Sequence, residues 1–311
     1  YKGAKHIIKD APTASKTYSF LLNSAFYFAE NGVTIKAYED VNVGTSANFN
    51  GTEYTLVNED LLREMVKNDE DVTKVVTSRI TDMSRLFERN TTFNQDIGSW
   101  DLSDVTDMSD MFLGAEIFNQ NINSWNVSKV TSFRFLFLEA TSFNQDLDSW
   151  NVENVENMYA VFFGATSFNR NINSWNVKNV KNMHSMFAFA ISFNQPLGLW
   201  DVGNVETMGH MFSNATSFNQ YIGSWNVSNV GAMDSMFPYA TSFNQDIGAW
   251  DVSNVEFMGS MFRNASSFNQ DISVWNVCKV TNYAWFDWDT SSQWWSSKKP
   301  NFGSSTQCSG S

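Results

Sequence analysis

Residues 243-262 read Phe-Asn-Gln-Asp-Ile-Gly-Ala-Trp-Asp-Val-Ser-Asn-Val-Glu-Phe-Met-Gly-Ser-Met-Phe, and close copies of this stretch fill most of the chain. Trp100, Trp125, Trp150, Trp175, Trp200, Trp225, Trp250 and Trp275 recur every 25 residues without a slip. A fixed period of roughly 20–50 residues marks a solenoid or array, in which each unit packs only on its neighbours. One period back from Trp100 stands Val75, with Ile80, Met83, Leu86, Phe87 and Phe93 on repeat positions, so the array begins with a degenerate unit at 75-99.

The composition agrees with an ordered, aromatic core. The chain has 311 residues, 42% hydrophobic and 15% aromatic, which excludes the disordered class. A net charge of -13 argues against nucleic acid and against electrostatic docking on anionic lipid. The longest apolar run, 18-29, is too short to span a bilayer, which takes about 18–20 residues.

Within one unit, Trp250-Asp251-Val252 alternates inward, outward, inward, as a strand does. Val255, Met258, Met261, Phe262 and Ala265 follow at steps of three and four, which predicts a short helix. Asp104, Asn154, Asn179, Asn204, Asn229 and Asn254 stand before it as expected N-caps. The predicted fold class is therefore an α/β repeat solenoid, with one short parallel strand and one short helix per 25-residue coil. Residues 1-33 are a non-repeat segment, locally basic through Lys2, Lys5, His6 and Lys9. Residues 34-74 form an expected cap of two strands and a helix at 59-67 behind Asn58. About nine coils occupy 75-283, and 284-311 is an aromatic cap with a polar tail.

The spacing of Ile247, Trp250, Val252 and Val255 is similar to a leucine-rich-repeat core. The whole unit resembles the 25-residue repeat of the BspA-like surface proteins, a leucine-rich-repeat-like family. The resemblance covers about 75-283. It departs at Phe133 and Leu136 for the two methionines, Val161 for methionine, Arg170 for glutamine and Pro196 for aspartate. It implies a secreted or cell-surface protein linked to adhesion.

The outward strand column is the candidate ligand face: Asp101, Asn126, Asn151, Asn176, Asp201, Asn226, Asp251 and Asn276. It offers a polar strip to a protein or glycan partner, or else an amide ladder that serves the fold. A second column, Asn94 to Asn269 in steps of one period, reads as structural. Neither a catalytic constellation nor a metal or cofactor motif is legible: His184 and His210 lack a third ligand, no nucleophile elbow occurs, and the Asp96, Asp146, Asp246, Asp271 column is interrupted. The expectation is a non-enzyme without cofactor. Cys278 and Cys308 could bridge and pin the tail to the last coil, which needs an oxidising compartment. Sequons stand at Asn50, Asn90, Asn214 and Asn264, and also at Asn126 and Asn226; the helix-end sites 90, 214 and 264 are expected to be the most exposed. The alternative reading is a subunit of a larger assembly. There the array is a rigid spacer, and contacts come from the N-terminal segment or from the aromatic end with Trp285, Trp288, Trp294 and Trp295.

Overall fold

A computed structural model describes residues 25–303. The basic N-terminal residues and Cys308 lie outside them. The chain enters through a two-stranded antiparallel sheet, β1 (Phe26–Phe28) with β2 (Ile35–Ala37). A hairpin follows, β3 (Ser46–Phe49) with β4 (Thr52–Leu56). Its turn is Asn50-Gly51, both at positive φ (51° and 85°), the two-residue turn whose twist matches the flanking strands. Helix α1 (Glu59–Lys67) then crosses to β5 (Val75–Val76), which pairs parallel to β4. Asn58 caps α1: its Oδ1 accepts the Leu61 N–H at 3.0 Å.

From there the units stack. Parallel bridges run Asp82, Asp107, Ser132, Asn157, Asn182, Thr207, Ala232, Phe257, Asn282, each residue bridging its equivalent one period on. Inside lie three aromatic columns. Trp150 and Trp175 stack at 6.4 Å between centroids, Phe162 and Phe187 at 5.6 Å, and Phe168 and Phe193 at 5.9 Å. Each indole N–H, which must find an acceptor once buried, donates to the carbonyl 28 residues back; Trp175 takes Leu147 O at 2.8 Å and Trp250 takes Ile222 O at 3.1 Å.

The expected helix in each unit is absent. Among the described residues, α1 is the one α-helix, beside a single 3₁₀ turn at Ser296–Lys298. The 3- and 4-residue spacing comes instead from successive tight turns. Met261 N–H donates to Met258 O, Arg263 to Ser260 O and Ala265 to Phe262 O, while Ser260, Phe262 and Asn264 donate to Ala284, Phe286 and Trp288 in the next unit. Alternate N–H groups thus close a turn and cross to the neighbour. Ser260 and Asn264 are left-handed (φ 56° at both), which breaks any i→i−4 ladder. Two side-chain assignments change with it. Asn154, Asn179 and Asn254 are not helix caps; each Nδ2 donates across to a carbonyl of the preceding unit, at 2.7 Å. Trp250-Asp251-Val252 carries no inter-unit bridge, because Trp250 N–H and Val255 N–H close local turns on Ile247 O and Val252 O; the bridge column lies seven residues further on, at Phe257.

The asparagine column of the second turn is a ladder. Asn219 Oδ1 accepts the Asn244 N–H (3.0 Å) and Gln245 Nε2 (2.9 Å), and the pattern repeats along the stack. At the last unit Lys298 Nζ takes the place of the next glutamine, donating to Asn269 O and Oδ1 at 3.1 and 3.0 Å. Buried Trp294 packs edge-on to Phe268 at 4.8 Å and closes the core. At the other end Arg63 of α1 donates to Ser84 O at 2.8 Å. Both ends are thus capped, as a stack of half-satisfied units requires.

Cys278 is disulfide-bonded. The bond sits on the last unit. Reduction, or Cys278→Ser, is expected to lower stability by roughly 2–4 kcal/mol. The check is the urea midpoint with and without reductant. Equal midpoints would show that the bond does not contribute to stability.

Candidate binding face

The predicted ligand column is used by the fold. Asn126, Asn151, Asp201, Asn226, Asp251 and Asn276 each turn Oδ1 onto the N–H two residues ahead, at 3.1 to 3.2 Å. Asn176 does the same to Lys178 at 3.5 Å. Asx turns of this kind tie the side chain to its own backbone. In all these residues the second side-chain atom remains on an exposed residue. The Ser253 hydroxyl and then its N–H hold the Asp251 carboxyl below the usual carboxylate range. Asp101 departs from the rest: it is buried, with Ser78 Oγ donating to Oδ2 at 2.8 Å and Lys36 Nζ 3.4 Å away. The N-terminal cap consumes it, so it is removed from the ligand face.

Three residues further along each unit the surface opens into a groove of about 510 Å³, lined by Asn154, Glu156, Asn179, Lys181, Asn204, Glu206 and Asn229. Two columns line it, Asn154, Asn179, Asn204 and Asn229 in one and Glu156, Lys181 and Glu206 in the other, each repeating at one period. The asparagine Nδ2 groups are spent on carbonyls: Asn179 on Glu153 O and Asn204 on Lys178 O, at 2.7 and 2.6 Å. Among the described residues no donor reaches their Oδ1 atoms, and all four asparagines are exposed. Lys181 Nζ holds Glu156 Oε2 at 2.7 Å, and that bond with its charge raises the lysine pKa. Glu206 sits one period beyond with no ion pair among the described residues. The groove is therefore a row of acceptors with one anchored amine. It was missed in the sequence because Asn154, Asn179 and Asn204 were assigned to helix caps. The visible signal was the column Glu156, Lys181, Glu206, which alternates in charge at one-period spacing.

His184 and His210 do approach, with ring centroids 5.2 Å apart, and Tyr159 stacks on the far side of His184 at 5.1 Å. Burial, and secondarily His210, lowers the His184 pKa, while Asp234 lies 3.5 Å from His210 Nε2. Among the described residues no cluster of His, Cys, Asp and Glu could hold a metal ion. Of the sequons, Asn126, Asn226 and Asn50 are exposed, whereas Asn90, Asn214 and Asn264 are half-buried. The expected order of exposure is reversed, because the latter three sit at the end of the tight turns. Asn214 and Asn264 are themselves left-handed (φ 57° and 56°) and donate N–H across the stack to Pro238 O and Trp288 O. Of the terminal tryptophans, Trp294 is core, and Trp285, Trp288 and Trp295 are exposed at 56%, 56% and 68%. No helix among the described residues is long and apolar enough to cross a membrane.

Bridges, ring columns and amide ladders at one period define a tandem-repeat protein. The chain belongs to the family described as "Mycoplasma protein of unknown function, DUF285", whose model matches residues 58–162, 146–231 and 199–293, overlapping segments that take in most of the chain. The first match opens at Asn58, the cap of α1. No curated protein and no solved structure matches the chain.

Proposed function

We propose that the chain is a non-catalytic solenoid of the leucine-rich-repeat-like, BspA-like kind, working outside the cell or on its surface. There it binds a protein or glycan partner in an adhesion-like role. The observation that supports this most is the groove of Asn179, Asn204 and Asn229 acceptors, flanked by Glu156 and Glu206. Identical acceptors at one-period spacing on a rigid stack suit a partner that presents donors in a row, either sugar hydroxyls or the amides and cations of a protein segment. The stack has already met the ordering cost, which favours affinity. The acidic net charge of -13 favours a partner that is neutral or cationic. The disulfide at Cys278 supports an oxidising compartment.

The test is binding of the full chain to arrays of neutral glycans and of lysine-rich peptides, compared with the Glu156→Lys, Glu206→Lys double variant. Both glutamates are exposed and hold nothing in the core, so the melting temperature should stay within about a degree or two of the parent, as for ordinary surface changes. Array binding is expected to fall at least tenfold. Equal binding by the double variant, or no binding to either array by the parent, would overturn this reading.

A further inference from the structure

On the turn edge of the last three units, four side chains meet that the repeat does not require. Tyr239 and Trp285 flank the guanidinium of Arg263, whose Cζ lies 5.9 Å from each ring centroid. Trp288 packs edge-on to Trp285 at 4.9 Å. The equivalents of Arg263 in earlier units are Glu88, Leu113, Leu138, Phe163, Ala188, Ser213 and Pro238, so neither core packing nor turn geometry calls for an arginine.

Among the described residues the guanidinium has no ion pair and its buried Nε has no hydrogen-bond partner. A buried donor without an acceptor is costly, and arginine is the side chain whose planar fork matches a carboxylate. The two neighbouring carboxylates are each engaged by another side chain. Asn264 Nδ2 donates to Asp289 Oδ2 at 2.8 Å, and Lys299 Nζ to Asp287 Oδ2 at 2.6 Å. The patch therefore offers exposed aromatic surface and one uncommitted positive charge. A peptide carboxylate between apolar side chains needs one cation and apolar contact, which is what the patch supplies. Tryptophan, tyrosine and arginine are also the residues that dominate protein–protein hot spots. The backbone beneath is rigid: Tyr239 N–H bonds Arg263 O, and Asn264 N–H bonds Trp288 O, at 2.8 and 2.7 Å.

We propose that Tyr239, Arg263, Trp285 and Trp288 form a docking site for a protein segment that presents an Asp or Glu carboxylate flanked by apolar side chains. The site is separate from the asparagine groove and does not depend on what the groove binds. Because the whole chain is acidic, long-range forces oppose such a partner, and added salt should speed association by screening them.

The experiment is peptide display against the full chain, followed by titration of the selected peptides. Selected peptides should carry Asp or Glu between leucine, phenylalanine or similar residues. Arg263→Gln should weaken them at least tenfold, and so should Glu→Gln in the peptide. The two changes together should cost little more than either alone, which a general surface effect would not produce. Trp288→Ala, at an exposed position, is the second variant and should weaken the same peptides. Selection without acidic enrichment, or equal binding by Arg263→Gln and Trp288→Ala, would overturn the proposal. Binding of an oligouronate in preference to the peptides would also overturn it, in favour of an acidic-sugar site.

Discussion

Trp175→Ala should destabilise the protein by about 3–5 kcal/mol, the range for removing a large aromatic from a packed core. Trp175 is 3% exposed and stacks on Trp150 at 6.4 Å and on Phe162 at 6.3 Å. Its removal leaves a void between units, and Trp150 and Phe162 lose a ring contact. It also strands the Leu147 carbonyl, which accepts the indole N–H at 2.8 Å. Trp175→Phe keeps most of the ring contact and loses the N–H, so it separates the two contributions; the unmet carbonyl alone is worth roughly 1–3 kcal/mol. The measurement is the urea midpoint and slope of each variant. Trp295→Ala is the control, since Trp295 is exposed at 68% and should shift stability by less than about 0.5 kcal/mol. A Trp175→Ala midpoint within error of the parent would mean that the tryptophan column does not hold the stack.

That column was legible in the sequence because a tryptophan every 25 residues has no local explanation. The same holds for the cap of α1: Asn58 before Glu59, Asp60 and an apolar face is a local signal, and the helix forms where it points. What failed was the inference from spacing to conformation. Inward residues at steps of three and four, such as Met258, Met261, Phe262 and Ala265, fit a helix and fit a chain of tight turns equally well. The turns are fixed by hydrogen bonds to the neighbouring unit, from Phe262 to Phe286 and from Asn264 to Trp288, and these long-range bonds leave no mark within one unit. A partial mark did exist. Gly114, Gly164, Asn214, Asn264 and Asp289 stand at a left-handed position that glycine, asparagine and aspartate tolerate. It was obscured because Arg89, Glu139, Phe189 and Tyr239 adopt the same conformation in other units, held there by the stack. The local geometry of the outward column has the same origin. Asp251 was read as pointing off a strand, whereas it closes a turn on Ser253, and the groove beside it is built from asparagines that had been assigned to caps.

Excising residues 176-200, one whole period, should give a protein that folds, whereas excising 176-188 should not give a single cooperative stack. The inter-unit bonds depend on register alone. With 176-200 removed, the Trp225 indole loses Leu197 O and finds Ile172 O, the carbonyl that served Trp200. Asn219 N–H loses Asn194 Oδ1 and finds Asn169 Oδ1, which had served Asn194. Every donor meets an equivalent acceptor, and Trp175 continues into Asp201 where it had continued into Asn176. The cost is one unit's worth of stacking, because stability in such an array is a sum of unit and nearest-neighbour contributions. The slope of urea unfolding, which follows the surface exposed, should fall by about a tenth. Half a period does the opposite. It sets the tryptophan column of one part against the turns of the other, strands the asparagine ladder at the junction, and divides the core into two shorter stacks that each expose an aromatic end. Near-ultraviolet circular dichroism, size-exclusion elution and the urea transition distinguish these outcomes. Unfolding of the full-period excision would show that long-range interactions beyond adjacent units hold the array, and a cooperative half-period excision would show that register is not what the repeat encodes.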